Sequence, residues 1–189
     1  MRLQSGTDVN RKQISECLAL ALAGRSIARI TRKVEAGFAD GYVVASAGRW
    51  VALLVIGDGI FYSGFQVFRV QDIATISVPS PRASFYQAVL RKRCPKRPRL
   101  PQISIESTQA LLASAGNRFP LVTIHREIAD PNVCNVGKVV GVTGRAVSLL
   151  EVTPDATWEE EVTQYRLTEI TRVDFGGPYE EALALVACR

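Results

Sequence analysis

The chain contains one stretch twice. Residues 41–56, GYVVASAGRWVALLVI, align without a gap on residues 137–152, GKVVGVTGRAVSLLEV. Eight of these sixteen positions are identical: Gly41/Gly137, Val43/Val139, Val44/Val140, Gly48/Gly144, Arg49/Arg145, Val51/Val147, Leu53/Leu149 and Leu54/Leu150. A repeat of this kind constrains the fold, because each copy must be a supersecondary unit that buries its apolar face within itself or against its sister. The match resumes after one inserted residue, with 68–76 on 165–173, and extends upstream, with 27–34 on 121–128.

Each unit opens with a helical pattern. Ile14, Cys17, Leu18, Ala21 and Leu22 form one apolar stripe at helical spacing, and Gly24 stands where such a helix ends. In the second unit Ser104 is a candidate N-cap for an alanine- and leucine-rich helix over 105–115, closed by Gly116. Short strand-type segments follow, near 27–34, 41–47, 50–56, 62–69 and 72–78, and again near 121–128, 137–143, 146–152, 162–167 and 169–175. Valine, isoleucine and aromatic residues dominate them and glycine turns separate them. The stretch from Trp50 to Ile56 is apolar on both faces: Val51, Leu53 and Val55 on one, Trp50, Ala52, Leu54 and Ile56 on the other. Both faces of that strand therefore need cover. Five short strands are too few for a sandwich, so the expected fold is mainly β with flanking helices. It comprises two tandem helix-plus-five-strand small barrels packed together, each closed so that no long edge stays bare. The expected boundaries are 1–90 for the first unit, 91–103 for a basic, proline-rich linker and 104–189 for the second unit.

A helix followed by five short strands resembles the Sm-like (SH3-type) small-barrel superfamily, over roughly 10–90 and 104–187 as architecture. Members that bind uridine-rich RNA carry Asp and Asn around the turn between the second and third strands, and an Arg-Gly pair late in the barrel. Here the turns read SAGRW (46–50) and VTGRA (142–146), and the late segments read FRV (68–70) and YRL (165–167). The resemblance thus implies the barrel and carries over none of the RNA-binding residues.

No apolar run approaches the ~20 residues of a membrane span, and residues 1–13 lack a signal peptide's apolar core. The four cysteines (Cys17, Cys94, Cys134 and Cys188) have neither zinc-site spacing nor the density of a disulfide framework, which points to free thiols in a reduced, cytoplasmic setting. The formal net charge of +5 conceals a division: residues 1–100 carry a net +10 and residues 101–189 a net −5. Such opposed halves can steer association with another molecule or with a second copy.

The densest cationic segment is 91–99, where Arg91, Lys92, Arg93, Lys96, Arg97 and Arg99 could neutralise phosphates in a salt-sensitive way. The same segment, stiffened by Pro95, Pro98 and Pro101, also reads as a solvated linker. Arg49 and Arg145 follow a glycine in the same turn of each copy, and read either as anion contacts or as solvated neighbours of a turn glycine. The aromatic hairpin of the first unit (Phe61, Tyr62, Phe65 and Phe68) diverges most from its counterpart, where Trp158 stands beside Glu159, Glu160 and Glu161. Phe61, Tyr62, Phe65 and Trp158 are accordingly candidates for a protein interface, or else for packing at the seam between the units. His125, the single histidine, precedes Cys134 by nine residues, a thin basis for a nucleophilic site. The segment 174–177, DFGG, lacks the companion motifs of a kinase and reads as a turn before a C-terminal helix. The residues point to no catalytic group, metal or cofactor. They favour a non-enzymatic binding or regulatory protein holding a protein partner, with RNA or DNA binding as the alternative.

Overall fold

The structure, a computed structural model, describes residues 6–94 and 96–187; Pro95 and Cys188 lie outside the described residues. The first unit runs α1 (Gly6–Gly24), β1 (Ile27–Arg32), β2 (Ala39–Ala47), β3 (Trp50–Ile56), β4 (Tyr62–Arg69), a 3-10 turn at Val70–Asp72, β5 (Ile73–Ser77) and α2 (Ala83–Arg93). The second repeats the order: α3 (Thr108–Arg118), β6 (Val122–His125), β7 (Cys134–Val142), β8 (Ala146–Val152), β9 (Trp158–Arg166), β10 (Arg172–Phe175) and α4 (Pro178–Val186). The protein is mainly β, as expected.

Among the described residues the strands form one antiparallel sheet in the order β5-β1-β2-β3-β4-β10-β6-β7-β8-β9. Each half is the same sequence of strands: fifth, first, second, third, fourth. The halves join where β4 pairs with β10. The sheet is not closed on itself, since β5 and β9 are its two ends. Even irregularities repeat: the β2–β3 ladder shifts register between Val43 and Ala45, and the β7–β8 ladder between Val139 and Gly141.

The duplicated glycines have a steric cause. A Cβ on Gly41 would lie 2.4 Å from the Leu54 carbonyl oxygen, and one on Gly137 would lie 2.4 Å from that of Leu150. Backbone meets backbone there, and no side chain can yield to make room.

The two faces of β3 are both buried, and they belong to different cores. Val51 and Leu53 join Ala28, Ile30, Val43, Phe68 and Ile73 beneath Ile14, Leu18 and Ala21 of α1. Leu22, expected on the α1 stripe, is exposed, so that stripe is narrower than the sequence suggests. Trp50, Ala52, Leu54 and Ile56 face the other way, into a larger core with α2, α3 and the inner residues of the second unit. Each fully buried Leu or Val contributes about 1.5–3 kcal/mol of transfer free energy, so this double burial makes β3 central to stability.

The β4–β10 junction explains how one core serves both units. Antiparallel partners share a face, and Phe65 and Val67 pair with Phe175 and Val173, which pair onward with Val122 and Ile124. All six lie in the larger core. The outer face of the first unit thus continues as the inner face of the second. On the opposite side Phe68 belongs to the α1 core, yet its neighbours Arg172 and His125 are polar.

Two local expectations are corrected. The N-cap of α3 is Ser107, whose hydroxyl accepts from the Ala110 amide at 3.1 Å, whereas Ser104 precedes the helix by several residues. A helix absent from the sequence reading, α2, runs to Arg93 and takes in the first three residues of the basic run. Beyond it Leu100 and Ile103 pack on the larger core, so the connection between the units is seated on the protein rather than free.

Candidate functional site

Where the units meet, the ends of β1, β6 and β10 bring charged side chains together, most of them buried. Arg32, at the end of β1, reaches Glu127, just after β6, with both terminal nitrogens, and both side chains are buried. Arg32 also donates to Glu35 at 3.1 Å. Arg172 of β10 donates to Glu35 at 2.7 Å, lies 3.4 Å from Glu127, and has its Nε 3.2 Å from Asp174. The network ties β1 of one unit to β6 and β10 of the other. Burial pushes the Glu127 carboxyl up, but hydrogen bonds from Arg32 and Thr171 and the charges of Arg32 and Arg172 outweigh it and hold it below its ordinary value. Asp72 behaves in the opposite way: burial raises it further than Arg69 and Arg32 lower it.

His125 belongs to this network. Its Nε2 lies 3.1 Å from Asp174 and 3.0 Å from Arg172. The β6–β7 register sets Cys134 directly across from His125, but the ring nitrogens face Asp174 and Arg172, and no hydrogen bond to Cys134 is present among the described residues. A histidine held between a carboxylate and a guanidinium is built as a structural link. No group of three His, Cys, Asp or Glu capable of holding a metal occurs among the described residues.

The duplicated arginines share a backbone role. The Arg49 carbonyl accepts from the Val70 amide at 2.8 Å, and the Arg145 carbonyl from the Leu167 amide at 2.9 Å, each tying the turn to the end of the fourth strand. Their side chains differ. Arg49 donates to the Thr108 hydroxyl at 2.5 Å, fastening the turn to the start of α3, while Arg145 is exposed. Gly48 in that turn has φ +55°, a left-handed conformation that favours glycine.

Of the basic run, Arg93 lies 4.9 Å over the Phe61 ring and donates to the Gly59 carbonyl, and Arg97 lies 4.4 Å over Tyr42. Arg91, Lys92, Lys96 and Arg99 are exposed, with no ion pair among the described residues. The structure therefore divides the six cations into two that clasp aromatic rings and four that face solvent. The aromatic candidates also separate. Phe61 is 49% exposed, whereas Phe65 is buried and stacks on Phe175 at 5.7 Å, filling the seam. Tyr62 is half-buried beside Tyr42, and Trp158 is half-buried with its indole N–H donating to the Ala187 carbonyl at 2.7 Å. Phe61 alone of these four is an exposed ring.

The sheet ends differ in character. β9 is nine residues long and exposes Glu159, Glu160, Glu161, Val162, Thr163 and Gln164 along its length. Sequence reading placed the three glutamates before the strand; the β8–β9 hairpin carries them into it. β5 is shorter, five residues, with Thr75 and Ser77 exposed. Among the described residues no helix is long and apolar enough to cross a membrane. Compared with protein-family models, curated proteins and solved structures, the chain matches none.

Proposed function

We propose that this is a non-enzymatic binding protein built from two tandem Sm-like (SH3-type) small barrels, and that it holds a protein partner through the open strand β9. The observation that carries this reading is the pair of sheet edges with no strand neighbour among the described residues, above all that of β9, whose residues 159–164 are all exposed. Such an edge is a template on which a partner adds a strand, with backbone hydrogen bonds supplying affinity and side-chain chemistry supplying selectivity. The internal β4–β10 junction supports the same reading, since it is a fourth strand of one unit paired with a fifth strand of the other. The three glutamates favour a partner with a basic strand.

The test begins with size-exclusion chromatography and light scattering, which separates a second copy from a different protein as the occupant. Val162→Lys and Glu160→Lys, both on the exposed β9 surface, should abolish the complex at unchanged melting temperature. A complex that survives both substitutions would refute β9 as the binding edge.

A second reading rests on Arg91, Lys92, Lys96 and Arg99, four exposed cations without ion pairs among the described residues. They suit phosphate contacts to RNA or DNA. Titration of labelled RNA at rising salt, with these four changed to Ser in parallel, tests it. Four lost phosphate contacts would reduce the log–log salt slope by roughly 3–4, and absence of binding at low salt would exclude the reading.

A further inference from the structure

Because the chain carries two copies of one unit, each serves as a control for the other. The strand registers make Ala39, Val55 and Phe68 of the first unit equivalent to Asn135, Glu151 and Tyr165 of the second. In the second unit these three side chains form a plug. The Tyr165 hydroxyl donates to Glu151 Oε1 at 2.7 Å, and Asn135 Nδ2 donates to Glu151 Oε2 at 2.9 Å. An arginine covers the ring in both copies, Arg126 at 4.8 Å over Tyr165 and Arg32 at 5.2 Å over Phe68. The frame is the same; the first unit lacks the plug.

What stands in its place is a cavity of about 380 Å³, lined by Ala39, Val55 and Phe68 and closed on one side by the start of α2. That volume falls at the low end of the ~300–1,000 Å³ typical of small-ligand sites. The polar groups around it fall into two sets. The Arg32 terminal nitrogens are held by Glu127 and Glu35, although its buried Nε has no hydrogen-bond partner among the described residues, and Asp40 is held by Arg29 and Ser80. Asp58 and Arg82 also line the cavity but make no ion pair among the described residues, and the Gln66 amide has no hydrogen-bond partner among them. Around the floor of Ala39, Val55 and Phe68, one anion and one amide are thus without a partner among the described residues. One cation, Arg82, lies 5.3 Å over both the Phe85 and Tyr86 rings, with no carboxylate among the described residues to neutralise it.

We propose that this cavity is a binding site for a small zwitterion with an apolar body, the chemistry of a free apolar amino acid. The body lies against Phe68 and Val55, the carboxylate turns to Arg82, and the ammonium turns to Asp58 and the Gln66 carbonyl. The cavity replaces a carboxylate held by two internal donors with space for a molecule that brings its own charges. The inference is independent of the β9 edge, which lies in the other unit.

The experiment is isothermal titration calorimetry of the full chain with L-phenylalanine and L-leucine. Hydrocinnamate, phenethylamine and glycine serve as probes lacking the ammonium, the carboxylate and the body. The two amino acids should bind and the three truncated probes should bind at least about tenfold more weakly, since each removes a partner of one cavity group. Arg82→Gln and Asp58→Asn, both at exposed positions, should each weaken phenylalanine about tenfold without changing the melting temperature. The triple graft Ala39→Asn, Val55→Glu and Phe68→Tyr should rebuild the plug and abolish binding. The proposal is overturned if neither amino acid binds at about 10 mM, some 2.7 kcal/mol of affinity. It is equally overturned if hydrocinnamate or phenethylamine binds as well as phenylalanine, or if Arg82→Gln and Asp58→Asn leave the affinity unchanged.

Discussion

Replacing Glu127 by Gln should unmask how much the seam depends on buried charge. Glu127 and its main partner Arg32 retain only 7% and 4% side-chain exposure. Removing one member of a buried pair leaves the other uncompensated, which costs about 3–5 kcal/mol. Here Arg32 keeps Glu35, and Arg172 keeps Glu35 and Asp174, so the lower end applies, about 3 kcal/mol. At ~2–4 °C per kcal/mol for a chain of this size, the melting temperature should fall by about 6–12 °C. The pH dependence adds a second readout. The folded-state pKa of Glu127 is depressed, so its contribution is fully present above the ordinary value of 4.5 and is lost as pH falls through the folded value. Asp40 is also held low: burial raises it, but hydrogen bonds from Arg29 and Ser80 prevail, so it contributes with the same sign. Asp72 is raised, and its contribution is present at low pH and lost as pH rises through its folded value. The Glu127→Gln variant should therefore lose stability mainly above about pH 4.5 and approach the parent below it. Thermal melts by circular dichroism between about pH 3 and 8 would measure both effects. A loss under about 1 kcal/mol at neutral pH, or a constant offset at every pH, would refute the reasoning.

Gly41→Ala and Gly137→Ala should each cost about 1–3 kcal/mol in chemical denaturation, because β3 or β8 must retreat from the new methyl group. Gly144→Ala, where nothing lies within 4 Å, should fall within about 0.5 kcal/mol of the parent. The two tryptophans report on different places, Trp50 in the large core and Trp158 against the C-terminal end of α4. Single-tryptophan variants (Trp158→Phe and Trp50→Phe) should each unfold in step with the circular-dichroism signal of the same protein, since one core spans both units. Fluorescence and circular-dichroism transitions separated by several degrees within either variant would show that the units melt apart.

The strands were legible because their signal is local. Alternation, glycine turns and the repeat placed all ten, and the two-faced apolarity of Trp50 to Ile56 correctly announced cover on both sides. Helix α2 was obscured because its apolar contacts, Ala83, Tyr86 and Leu90, are few and its last turn is all cationic. Arg91, Lys92 and Arg93 read as a linker when taken as charge alone. The seam was illegible for a different reason: Arg32 and Glu127 are 95 residues apart, and Arg172 and Glu35 are 137. At strand ends such charges look like ordinary solvated residues, yet at the β4–β10 junction Arg32, Glu127 and Arg172 are buried while Glu35 stays half exposed. The empty plug had a signal that could have been read. Ala39, Val55 and Phe68 against Asn135, Glu151 and Tyr165 is a coordinated loss of three polar groups at aligned positions.

The junction also explains why the copies diverged as they did. With β4 beside β10, the outer face of the first unit becomes interior, and Trp50, Phe65 and Val67 are buried there beside Leu54, which both copies share. Their register equivalents in the second unit are Ala146, Leu150, Val162 and Gln164, on a face that α4 covers only around Leu121, Val136 and Val152. Val162 and Gln164 are exposed accordingly. The hairpin strands follow the same division: the carboxylates of β9 sit on the side with no sister unit, while Phe65 of β4 fills the side that has one. Divergence within the repeat thus follows from position in the sheet. The proposed contact surface on β9 rests on this geometry: among the described residues β9 is the fourth strand that lacks the neighbour its twin β4 possesses.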